Sequence, residues 1–361
     1  MLRGSNLNED VGVKLDERDV VFLDPALAIG FERSTARDGD LVFTCWGSVG
    51  QIGLIDADAL YDEYIVSNKQ MKLTPDPSQV DSRFLYYYMS QPAMIFEVKS
   101  RAIGSTIPGF NLGQLRSLEV RLPHLPEQRA IAEVLGALDD KIAANTKLLD
   151  TADRLSHALF SSMCRESTET VPLSNTAQFV NGKAFTKDAS GTGRVVIRIA
   201  ELNSGLGAST VYNDIDVNDQ HLARPGDILF AWSGSLTLHR WFRPEGIVNQ
   251  HIFKVIPSSG YPKWLIYELL RHKLEEFKSI AADKATTMGH IQRRHLDEAV
   301  AIPAAADVAK HNELMTSLWD RSLLAETENL KLEAIRAAFL PQLMSGNLRV
   351  KEAEQLVSAA V

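Results

Sequence analysis

Each half of the chain holds two stretches whose polar side chains are of the kinds that hydrogen-bond to nucleobase edges. In the first half these are Trp46, Ser48 and Gln51, then Arg101, Ser105, Thr106, Asn111 and Gln114. In the second half they are Ser233, Ser235, Thr237, His239, Arg240 and Arg243, then Lys284, Thr286, Thr287, His290, Gln292, Arg293 and Arg294. Arg and Lys match the acceptors of guanine, Asn and Gln match adenine, and hydroxyls serve either. Lys183, Lys187 and Arg198 are cations suited to phosphates, contacts that position a duplex without specifying its sequence. Plainer readings stand beside these. Arg293-Arg294 equally suits a solvated turn, His239 a satisfied surface histidine, and Trp46 and Trp232 simple packing. Asp40 and Asp227 look like paired catalytic carboxylates only in isolation, because both follow a glycine in a turn before a strand, where Asp caps backbone amides.

Catalytic signatures are missing. There is no G-x-G-x-x-G, no phosphate-binding G-x-x-x-x-G-K-[ST], no H-E-x-x-H and no G-x-S-x-G. A hydrolase built on Asp227 with His239 or His251 therefore has neither a nucleophile elbow nor metal-ligand spacing behind it.

The elements that must position the polar stretches come in two copies. Leu2-Arg3 through Leu7-Asn8 resembles Ile197-Arg198 through Leu202-Asn203. Asp38-Gly39-Asp40-Leu41-Val42-Phe43 with Gly47-Ser48 resembles Pro225-Gly226-Asp227-Ile228-Leu229-Phe230 with Gly234-Ser235. Lys72 and Pro75 match Lys254 and Pro257, and Leu115 matches Leu296. The matches keep one order along the chain, as an internal repeat requires. In each copy, alternating β-branched runs and glycine turns predict strands, and a helical stretch follows over 82–97 or 262–279. A proline linker, Leu122-Pro123-His124-Leu125-Pro126 or Ile302-Pro303-Ala304, then leads into a long helix.

Those helices are the plainest structural signal. Over 127–163, Ile131, Leu135, Leu138, Ile142, Leu149, Ala152, Leu159 and Met163 recur at threes, fours and sevens, the spacing of a coiled-coil seam. Asn145 and Ser156 interrupt it, and a polar residue in a seam can fix register. Over 308–340, Leu314, Leu318, Ala325, Leu332, Ile335 and Phe339 form a similar stripe. Each helix would span roughly 50 Å, and each stripe must be covered, most simply by the other. Such a pair is either a spacer or oligomerisation device, or a ruler between two copies of one domain, and the repeat favours the ruler.

Composition bounds the class. The 361 residues suit two or three domains, and 45% apolar with 23% charged is ordinary for a globular chain. The net charge of −8 argues against a protein that coats nucleic acid, yet residues 166–303 carry 15 basic and 15 acidic side chains plus six histidines. A local basic groove is enough for a sequence-specific reader. No run of about 18 apolar residues exists to span a membrane. The opening residues lack an apolar core, so they do not form a secretory signal. Two distant cysteines, Cys45 and Cys164, point to a reducing cytoplasm without disulfides or a thiolate metal site.

On these residues the chain resembles the specificity subunits of type I restriction–modification systems. The strongest segment runs from Leu122-Pro123-His124-Leu125-Pro126-Glu127-Gln128-Arg129 through Ile131 and Leu135 to Leu138-Asp139-Asp140-Lys141-Ile142. The second copy closes with Phe339-Leu340-Pro341-Gln342-Leu343-Met344-Ser345-Gly346-Asn347-Leu348-Arg349-Val350, similar to that family's closing stretch. The resemblance implies an α+β protein with two similar mixed α/β target-recognition domains, 1–121 and 166–303. Two long antiparallel helices, in 122–165 and 304–361, would separate them as a pseudo-two-fold repeat. It implies a non-catalytic reader of a bipartite double-stranded DNA target that docks two methyltransferase subunits, its helices setting the spacer. S-adenosylmethionine would lie on the methyltransferase, this chain would bind no cofactor, and a motor–restriction subunit would join the full complex. Base flipping would belong to the partner, because this chain lacks the N/D-P-P-Y/F tetrapeptide of adenine methyltransferases. A non-catalytic protein-binding scaffold dimerising through its coiled coil is the alternative.

One departure stands out. The repeat sets Met1 opposite Val196, so the lead of the second domain, 171–194, has no counterpart. Either the chain starts at an internal methionine or the first domain is shortened. A lost opening strand is expected to expose a sheet edge and leave the first domain the less stable one.

Overall fold

In both halves the Gly-Asp turn leads directly into a fully buried strand, Leu41–Thr44 or Ile228–Ala231, that lies inside its sheet. Asp40 accepts a hydrogen bond from the Arg37 amide and Asp227 from the Arg224 amide, each at 2.9 Å. Both carboxylates are therefore turn caps. The computed structural model describes residues 1–8, 10–104, 108–283 and 289–360. They form two units, Met1–Ala143 with Lys331–Val361, and Ala144–Leu330.

In the second unit the sheet has four strands. Ile228–Ala231 pairs antiparallel with Thr237–Arg240 on one side and Ile252–Pro257 on the other, and Ala177–Asn181 closes the far edge. Its apolar face, with Phe179, Phe230, Phe253 and Val255, packs on the helix Lys263–Asp283 through Trp264, Leu269 and Phe277. A second sheet carries the parallel pairing of Arg194–Ile197 with Gly246–Val248. The first unit repeats this order with Leu41–Thr44 between Ile52–Leu54 and Gln70–Leu73. Among its described residues nothing corresponds to Ala177–Asn181, so the outer edge of Gln70–Leu73 carries no strand. Met71 and Leu73 are half-buried there, whereas the equivalent Phe253 and Val255 are buried.

The repeat extends to single bonds. Leu2 bridges Val66 in parallel just as Ile197 pairs with Val248. Thr35 pairs with Ile65 as Leu222 pairs with Ile247. The helical stretch of the first unit differs from the expected single helix: it breaks into Ser82–Ser90 and Pro92–Arg101. Pro92 lacks an amide proton and forces Gln91 into an extended conformation, ψ 148°.

The long helices are Leu125–Glu166 and Ala305–Ser345. Within the first unit Ile131 and Leu135 share a core with Leu340 and Leu343, and Asp139 meets Arg336. Within the second, Asn145 donates to Glu328 and Asn329, and Phe160 and Met163 share a core with Met315 and Trp319. Partners descend along one helix as they ascend along the other, so the helices are antiparallel. Leu138 and Leu332 are buried as expected, and Ile142, Leu149, Leu318, Ile335 and Phe339 are half-buried. Leu314 corrects the expected stripe, since it is 46% exposed. Met315 and Trp319 turn inward instead, because the buried face here is set by the core of the second unit and not by the helix seam alone. Gln128 is fully buried at the helix start, where its amide joins Asp81 N, Gln79 O and Pro123 O. Both cysteines are free, and among the described residues no helix is long and apolar enough to cross a membrane.

Candidate nucleic-acid interface

Segments of the polar stretches that are separated in sequence meet, among the described residues, at one end of each sheet. In the first unit that end gathers the loop after Thr44, the turn before Gln70 and the loop that closes at Phe110. Three backbone bonds join them: Cys45 N to Lys69 O at 2.8 Å, Gly47 N to Pro108 O at 3.0 Å and Phe110 N to Cys45 O at 2.9 Å. The second unit makes the same three. Trp232 N donates to His251 O at 3.1 Å, Gly234 N to Gly289 O at 2.8 Å and Ile291 N to Trp232 O at 3.1 Å. A further loop, 182–187, joins this end because Gln250 N donates to Lys183 O at 2.9 Å. Gly182 is required where that loop starts, since a Cβ would lie 2.1 Å from the Asn249 carbonyl oxygen.

The scaffold is shared and the side chains are not. Trp46 is 54% exposed, its ring laid over Gly109, where a Cβ would come within 3.1 Å of it. Trp232 takes the position of Cys45. Its ring stacks on Phe253 at 5.7 Å and its Nε1 donates to Asn181 at 2.8 Å. Trp232 is therefore packed and Trp46 is presented. Ser48, Ser235, Lys183, Lys187, Gln292, Arg293 and Arg294 are exposed, and Gln51 and His290 are half-buried. Burial, and then the charges of Lys183 and Lys254, hold the His221 imidazole below its ordinary pKa, which favours its neutral form.

Several candidates are engaged elsewhere. Arg240 ends its strand opposite Ile228, at the other end of the sheet from the loops. There it pairs with Glu326 at 2.8 Å and lies 4.7 Å over the Trp319 ring, so it holds the long helix. Arg243 stacks on Phe242 at 5.1 Å. Arg198 is bound by both oxygens of Glu201, which leaves no free charge for a phosphate. His239 bonds Thr237 at 2.8 Å, and burial depresses its pKa. Ser233 is buried. Asn111 and Gln114 cap each other's backbone amides, and Arg101 is held by Glu97 and Ser117. Ser105, Thr106, Lys284, Thr286 and Thr287 lie outside the described residues. The sequence reading missed Lys69, Asn181 and Gln250, and weighed His251 only as a hydrolase candidate. The alignment of Lys72 with Lys254 already set Lys69 opposite His251.

Residues 34–154, which include the first loop cluster, match the family model described as "Type I restriction modification DNA specificity domain". This stretch is similar to a type I DNA specificity domain. The likeness extends along the chain. The MjaIX type I restriction enzyme specificity subunit of Methanocaldococcus jannaschii is 24% identical over 357 residues, covering 87% of this chain and 78% of that protein. The HindI specificity subunit of Haemophilus influenzae is 26% identical over 136 residues, 37% of this chain and 29% of its own. A type I restriction–modification S subunit from M. genitalium has the same fold, with a TM-score of 0.61 at 18% identity over 95% of this chain and 91% of that one. The chain thus presents one loop cluster in each unit, built on the same backbone bonds with different side chains.

Proposed function

We propose that this chain is the non-catalytic DNA-reading subunit of a type I restriction–modification complex, each recognition domain reading one half of a bipartite duplex target. The observation that carries the reading is the repeated loop cluster, in which the backbone bonds are conserved between units and the exposed side chains differ. Two readers of unlike half-sites need that combination, since base edges are distinguished by side-chain donors and acceptors on a fixed frame. Exposed Lys183, Lys187 and Arg294, free of ion pairs among the described residues, suit phosphates beside the second cluster.

The long helices would set the spacer between half-sites and dock two methyltransferase subunits. Those subunits would carry S-adenosylmethionine and perform the base flipping and methylation, and a motor–restriction subunit would complete the assembly. Such a complex works in the cytoplasm. The test is co-expression with the methyltransferase of the same genome, followed by methylation-sensitive sequencing of host DNA. A split adenine-methylated motif that disappears when this chain is omitted is the expected result. A folded complex that neither binds duplex DNA nor methylates it would leave the protein-binding scaffold.

A further inference from the structure

The turn that leads into Gln70–Leu73 or Ile252–Pro257 carries one residue at the same backbone position in each unit. In the first unit it is Lys69, exposed and without an ion pair among the described residues, its carbonyl tied to Cys45 N. In the second it is His251, its carbonyl tied to Trp232 N. The backbone position is the same and the side-chain chemistry is not.

His251 is held in an unusual way. Its φ is +71°, a conformation that glycine and asparagine adopt far more readily than histidine. Its ring lies 5.3 Å from Trp232, which is fixed by Asn181 and stacked on Phe253, and the His290 ring meets the same indole at 6.4 Å. His251 Nδ1 is buried with no hydrogen-bond partner among the described residues. A proton there would be an orphaned donor, more costly than a bare lone pair, so the tautomer that fits this setting places its N–H on Nε2. The result is one oriented donor, on a strained and immobilised ring, at the loop end of the sheet.

We propose that Lys69 and His251 are equivalent specificity-determining positions, each presenting a donor group, an ammonium or an imidazole N–H, to an acceptor on a base edge of its own half-site. The proposal rests on the DNA-reading function above. Guanine O6 and N7, adenine N7 and thymine O4 are the acceptors such donors meet in the major groove.

The experiment selects bound duplexes from a random-sequence pool with the full chain and with Lys69→Ala, His251→Asn and His251→Gly. Both histidine replacements tolerate the positive φ. The wild type is expected to enrich two short blocks at fixed separation. The histidine variants should weaken preference about tenfold at one or two base pairs of one block only, and Lys69→Ala should do the same in the other. Variants that enrich the wild-type sequence with unchanged preference, or that degrade both blocks together, overturn the assignment and leave the DNA-reading function standing. A wild-type chain that enriches no sequence overturns that function itself. If both histidine variants unfold, Lys69→Ala, on an exposed turn, decides by the same criterion.

Discussion

The Lys254 ammonium lies 3.1 Å from the Asp227 carboxylate, and the same nitrogen donates to the Leu222 carbonyl at 2.5 Å. Lys72 repeats the arrangement with Asp40 at 3.4 Å and the Thr35 carbonyl at 2.6 Å. In each unit one lysine thus ties the Gly-Asp turn of the main sheet to the neighbouring small sheet. The two lysines are 9% and 26% exposed and their aspartates 20% and 5%, so each brace has one well-buried partner, but only Asp227 has a second cation, Lys263 at 3.7 Å, among the described residues. Lys72→Met should cost about 3 kcal/mol, because it leaves Asp40 buried without a counter-ion, and Lys254→Met about 1 kcal/mol, because Lys263 stays beside the more exposed Asp227. Urea denaturation of the two variants measures this, and equal costs would refute the ranking.

Arg336 is a buried charge on a long helix, 2.5 Å from Asp139 and 2.9 Å from Asp10, while Tyr87 donates to the other Asp139 oxygen. Burial, and then the Asp139 charge, push the Tyr87 phenol far up, so it stays a donor. Arg336→Met should destabilise the first unit by about 3 kcal/mol, because Asp139 remains buried without a counter-ion. Adding Asp139→Asn should recover part of the loss. A single variant as stable as the wild type would show that this cluster does not hold the unit.

Glu201 supplies a pH test. Burial pushes its carboxyl up, but the hydrogen bonds and charge of Arg198 outweigh this and hold its pKa below 4.5. A lowered carboxylate pKa contributes stability above the unfolded value, and that contribution is lost as pH falls through the folded one. Glu201→Gln should therefore destabilise the chain at about pH 7 and much less at about pH 3. Denaturation midpoints at the two pH values would read it, and a pH-independent difference would refute the ionised pair.

Arg294 and Arg198 should separate in DNA binding. Arg294→Ala is expected to weaken duplex binding and reduce the slope of log K against log salt by about one, the signature of a single phosphate contact. Arg198→Ala should leave the slope unchanged, because Glu201 neutralises that guanidinium. Salt titrations of both variants would expose a reversed order.

By itself the sequence determined the two-fold repeat, the Gly-Asp turns with their strands, and the two long helices. Each follows from a local rule: alternation, turn chemistry, or apolar residues at coiled-coil spacing. Several matches used to align the copies, Asp40 with Asp227 and Lys72 with Lys254, are the atoms of one structural brace. Tertiary structure alone decided which polar residues face solvent together. Arg240 and Ser235 are five residues apart, yet strand direction carries one to a helix contact and leaves the other in the loop cluster. Leu314 and Met315 are adjacent, and only the domain core decides which is buried. Lys69 and His251 entered the clusters through backbone bonds to residues about 20 positions away, which no local pattern encodes. Propensity and periodicity act over a turn or two of chain, whereas the free charge or donor at a site depends on which distant carboxylate, carbonyl or ring the fold brings against it.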